Sequence, residues 1–80
     1  MPKIFDLIGY QIFFFSNEGN EPCHIHVGKS RSNSSKFWIV PEVKVAHNKS
    51  NIPPKDLRKI LDWIDDNTDF ILQKWHEFFS

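Results

Sequence analysis

Apolar and polar positions change their period once along the chain, near residue 51. Before that point the runs are short, and they either alternate or stay apolar, which predicts strands. Residues 3–8 form a brief apolar stretch that stops at Gly9, a natural turn or bulge position. Residues 10–16 (YQIFFFS) are aromatic and β-branched enough to be buried on both faces. The cluster Asn17-Glu18-Gly19-Asn20-Glu21 predicts a turn, with Gly19 the expected residue at positive φ. Beyond Pro22, residues 23–27 alternate strictly. Cys23, Ile25 and Val27 share one face, and His24 and His26 share the other. Residues 28–35 (GKSRSNSS) are polar and predict a loop, residues 36–40 (KFWIV) a third strong strand that Pro41 stops. Residues 42–47 alternate again, with Val43, Val45 and His47 on one side.

After Pro53-Pro54, which suit the first turn of a helix, the period becomes helical. Leu57, Ile60, Leu61, Ile64, Ile71, Trp75 and Phe78 fall on one stripe. One helix over residues 55–79 and two helices broken near Asn67 both satisfy this spacing. Asn67 and Thr68 followed by Asp69 favour the break, because both are good N-caps. The expected architecture is a single α+β domain over residues 1–80. Residues 1–50 are mostly strands, an antiparallel sheet of about four, and the helical residues 51–80 pack on one face. The sheet's other face is then open to water, a partner or a substrate.

Composition narrows the function classes. The chain has 80 residues, of which 40% are hydrophobic and 15% aromatic, so a small core can draw on large rings. Ten Lys/Arg cancel ten Asp/Glu, which argues against indiscriminate nucleic-acid or membrane binding. One cysteine allows no internal disulfide and suits a reducing compartment. No run approaches the roughly 20 apolar residues of a membrane span, and no signal peptide is recognisable. A cytoplasmic protein is the expectation. Charge is unevenly spread. Residues 28–50 carry Lys29, Arg31, Lys36, Lys44 and Lys49 against Glu42, whereas residues 56–77 carry a surplus of three acids. Such a dipolar molecule has a defined docking face, although solvated faces explain the same pattern.

His24-Ile25-His26 carries the candidate chemistry. Two imidazoles two residues apart on a strand stand about 7 Å apart at Cβ, close enough to share a metal ion or a phosphate. A metal needs further ligands, with His47, Glu21 and Glu18 the candidates, and spacing secures none of them. An ordinary solvated or hydrogen-bonded pair is the simpler expectation. If Phe37 and Ile39 join the core, Lys36 and Trp38 emerge beside the histidines, although the opposite parity fits the pattern equally well. A face with His24, His26, Lys36 and Trp38 would bind an anion, a base or a partner's carboxylates. The simpler expectations are a turn-capping role for His47, a helix-dipole role for His76 and core roles for Trp75 and Cys23. Trp63 falls one position off the stripe and flanks the core.

Pro22-Cys23-His24-Ile25-His26-Val27 is similar to the Pro-x-His-x-His-Val signature of the domain of unknown function 4160 family of small bacterial proteins. Residues 13–18, Lys36-Phe37-Trp38, Asn48, Leu57, Asn67 and Trp75 extend the resemblance over nearly the whole chain. Many members have a second proline and an aromatic where this chain has Cys23 and Ile25. The resemblance implies no transferable activity. Gene neighbourhood in the family suggests a toxin–antitoxin-like or regulatory pair, which is association and not mechanism. The leading expectation is therefore a binding module whose partner is a small protein or a nucleic-acid segment, needing no cofactor. The alternative is a metal-dependent or histidine-based hydrolase or nuclease, with His24, His26 and Lys36 as its catalytic groups. A homodimer through a sheet edge or Trp63 is a third expectation.

Overall fold

A computed structural model describes residues 3–79. Five strands follow one another as hairpins: β1 (Lys3–Leu7), β2 (Tyr10–Phe13), β3 (His24–Ser30), β4 (Asn33–Trp38) and β5 (Lys44–His47). Their order in the antiparallel sheet is their order in the chain. Two helices complete the α+β fold, α1 (Pro54–Asp66) and α2 (Thr68–Phe79). The sheet has one strand more than expected. Ile8 and Gly9 form the two-residue turn from β1 to β2, both at positive φ (45° and 87°), as tight hairpins of this hand require.

The polar segment 28–35 is not a loop. It builds the end of β3 and the start of β4, and only Arg31 and Ser32 turn between the paired Ser30 and Asn33. Strand pairing uses backbone groups, so a polar composition does not prevent it. Ser35 is buried there because its hydroxyl is satisfied by Asn48 at 2.6 Å and Ser50 at 2.7 Å. Gly19 also departs from expectation. Its φ lies outside the left-handed region, and its missing side chain instead makes room for the Phe79 ring, 2.5 Å from where a Cβ would sit.

One sheet face holds the core. Ile12, Ile25, Val27, Phe37 and Ile39 pack with Ile60, Ile64 and Ile71 of the helices. The helical stripe continues across a break at Asn67, whose side-chain amide donates to the Trp63 carbonyl at 2.8 Å. Thr68 closes the same turn by donating to the Ile64 carbonyl at 3.0 Å. Trp63 flanks the core as expected and stacks on Phe5, with ring centroids 4.9 Å apart. Among the described residues no helix is long and apolar enough to cross a membrane.

Ile64 is fully buried between sheet and helices. Ile64→Ala should lower the unfolding free energy by about 2–5 kcal/mol in urea titrations, and a loss below this would mean that the helices pack loosely. Ile8, exposed and β-branched at φ 45°, is strained. Ile8→Asn should therefore raise stability by about 1 kcal/mol in the same assay. An unchanged midpoint would show that the turn carries no strain.

Candidate functional site

The second sheet face is organised in cross-strand rows. Directly opposed residues of antiparallel strands point the same way, so Phe13, His26, Lys36 and His47 form one row. His24, Trp38 and Lys44 form the next. The predicted parity therefore holds for His24 and His26, and of the two parities open for residues 36–39 the structure has Lys36 and Trp38 on the histidine face, with Phe37 and Ile39 in the core. For His47 it does not. Ala46 has no partner in the β4–β5 ladder, and this bulge turns His47 away from the side of Val45 to the side of Lys36.

The two imidazoles stand together, but not in solvent as expected. His24 is 1% exposed and His26 5%. Aromatic neighbours cover them. His26 lies against Phe13 and Phe15 at 5.8 and 4.4 Å between ring centroids, and His24 against Trp38 and Trp75 at 5.3 and 5.2 Å. The segment from β2 to β3 folds over this face and delivers Glu18 to both rings. His24 Nε2 and His26 Nε2 each lie 2.8 Å from the same carboxylate oxygen, Glu18 Oε1. His24 Nδ1 donates to the Pro22 carbonyl at 2.9 Å. Glu18, His24 and His26 thus bring three ligand atoms within 4.8 Å of one another, and they are the residues able to hold a metal ion. Glu21 and His47, the other ligand candidates, lie outside this group. Glu21 instead accepts a hydrogen bond from Lys36 Nζ at 3.0 Å, and that ammonium also sits 4.3 Å from the Trp38 ring centre. Lys36 is therefore engaged within the protein rather than presented to a partner. Cys23 is a buried core residue whose thiol burial pushes up to about 12, so it is no nucleophile.

A sequence profile described as Domain of unknown function (DUF4160) matches residues 9–76. The chain belongs to the DUF4160 family. The matched stretch takes in the whole Glu18–His24–His26 cluster and both helices up to His76. No curated protein and no solved structure matches this DUF4160 chain.

Beside the cluster, the same face of the DUF4160 domain opens into a groove of about 250 Å³. Phe15, His26, His47, Arg31 and Lys49 line it, with Ser32, Asn33 and Ser34 from the β3–β4 turn, and no carboxylate does. Sequence reading did not single out Arg31, Lys49 or Phe15. Only the basic surplus of residues 28–50 signalled Arg31 and Lys49, and nothing marked Phe15 as part of a groove. Arg31 reaches back across the face, with its guanidinium carbon 5.0 Å from the Phe13 ring centre. Among the described residues, His47 Nδ1 is a buried polar atom with no hydrogen-bond partner.

Burial, helped by the charges of His24 and Lys36, holds the His26 ring below its ordinary pKa of 6.5 despite the opposing pull of Glu18. Burial and then Lys49 and Lys36 do the same to His47. Burial alone would raise the Glu18 carboxyl, but the two imidazole hydrogen bonds and charges outweigh it and hold Glu18 below 4.5. All three groups bind protons more weakly folded than unfolded, so acid favours the unfolded chain. In chelator-containing buffer the melting temperature should be level between about pH 7 and 8, below the range where the raised Cys23 and Tyr10 come into play. It should fall as His26 and His47 are forced to charge, and fall again below pH 4.5 as Glu18 protonates. A melting temperature that rises between pH 7 and 5.5 would contradict this assignment.

Proposed function

We propose that this chain is a small binding module, and that its histidine-bearing sheet face docks a phosphate-rich nucleic-acid strand. The observation that carries this reading is the groove at the β3–β4 turn, where Arg31 and Lys49 gather around His47 without an acid among the lining residues. Cations and hydroxyl or amide donors at a concave surface match a phosphate backbone. Phe15 on the rim offers a ring against which a base can stack. The charge is local, on a molecule neutral overall, which favours a defined site over indiscriminate adhesion. The face opposite carries α1 and α2 with their excess of acids, and so orients the approach. A toxin–antitoxin-like pair acting in the cytoplasm is a setting that fits such a module.

A metal-free nuclease fits less well. Both imidazoles of the His24–His26 pair are buried and tied to Glu18, and Lys36 to Glu21, so none stands ready as acid, base or phosphate clamp. Because both rings are buried, replacing His24 and His26 together by alanine would test folding rather than binding.

Lys49 is exposed at the groove and is the cleaner probe. Fluorescence anisotropy with labelled single-stranded 12-nucleotide RNA and DNA should show binding that weakens with salt. Lys49→Glu should weaken it roughly 10-fold and flatten the salt dependence by about 0.7 in the log–log slope. Absence of binding at low salt, or an unaffected Lys49→Glu variant, would refute the nucleic-acid reading. Competition by an acidic polypeptide with no nucleic-acid binding would point to a small protein partner instead.

A further inference from the structure

The hydrogen-bonding pattern around His24 leaves a cation unassigned. Its Nδ1–H is committed to the Pro22 carbonyl at 2.9 Å. In the neutral ring the remaining nitrogen, Nε2, then carries a lone pair, and it faces Glu18 Oε1 at 2.8 Å, which carries lone pairs as well. A proton must lie between these two atoms, or a metal ion must take its place. His26 Nε2 converges on the same oxygen at 2.8 Å.

We propose that the Glu18 carboxylate, His24 Nε2 and His26 Nε2 form a binding site for one divalent transition-metal ion of the zinc class. Two imidazoles and a carboxylate suit Zn(II) or Fe(II) better than Mg(II) or Ca(II), which prefer oxygen ligands throughout. Ligand atoms around four-coordinate zinc stand about 3.3 Å apart, so each 2.8 Å Glu18 contact opens slightly and the two imidazole nitrogens, in a cluster spanning up to 4.8 Å, draw together. The Nδ1–H donated to Pro22 is the outer hydrogen bond by which metal-bound imidazoles are held in orientation. Phe13, Trp38 and Trp75 close the back of the site. Glu18 keeps 20% of its side chain exposed, which leaves the front for water or a ligand atom of a partner. Lys36, the cation opposite His26 in the sheet, is neutralised by Glu21. The metal site shares His26 with the groove, but the nucleic-acid reading turns on Lys49 and the metal site on Glu18, so either can fail without the other.

The test uses untagged, chelator-stripped full chain titrated with ZnCl₂ or CoCl₂. Calorimetry should give one ion per chain, thermal melts should shift upward to saturation, and the cobalt complex should absorb in the visible. Glu18→Gln and His26→Asn should each weaken zinc binding roughly 10-fold or more, while His76→Ala, on exposed α2 surface, should leave it unchanged. Because the cluster variants can fail to fold, imidazole ¹⁵N spectra of the unaltered chain provide a second readout. Zinc should move the Nε2 resonances of His24 and His26 and spare those of His76. No binding, shifts confined to His47 or His76, or a folded Glu18→Gln variant that binds as before would overturn the site.

Discussion

Strand β3 lies at the centre of the sheet and is covered on both sides, so every side chain in its first five residues must be tolerated away from water. Ile25 and Val27 meet this demand by being apolar. His24 and His26 meet it only because each polar atom facing inward has a partner, and the partner they share is one carboxylate oxygen. A buried imidazole with no acceptor would cost on the order of 1–3 kcal/mol. Glu18 is thus as much a part of the inner packing as Phe13 or Phe37, although it comes from the segment between two strands.

That dependence also explains the aromatic content. Desolvating an ion cluster is costly, and the net value of such a cluster depends on geometry held fixed by its surroundings. Phe13, Phe15, Trp38 and Trp75 provide this by standing stacked, edge-on or tilted against the two rings. The face opposite the helices is consequently neither open sheet nor ordinary core. It has a dry, charge-paired centre beside a cationic groove, and the two share His26.

Alternation of Cys23 to Val27 made the parity of the histidines legible, because a period of two leaves only one assignment of faces. Asn67 and Thr68 likewise marked the place of the helix break, although their side chains close the end of α1 by donating back to its carbonyls rather than capping the start of α2 as expected. What could not be read was long-range. Nothing in spacing distinguishes Glu18 from Glu21, although one pairs with the histidines and the other with Lys36. Solvent exposure of the pair was expected because the sheet was pictured with a bare second face, and the cover comes from a turn whose path no periodicity encodes. His47 was displaced by one unpaired residue, Ala46, and a bulge has no signature in an alternating run. Serine-rich residues 28–35 concealed a hairpin because pairing depends on main-chain atoms.

Chain order and sheet order coincide, so each neighbour pair from β1 to β5 can zip without waiting for a distant partner. The exception is the ring of Trp75, which reaches both Phe14 and His24. During synthesis the meander can therefore assemble first with His24 still wet on one side. That ring gains its last cover, Trp75, only when the final described helix emerges and docks, which makes α2 the latch of the fold.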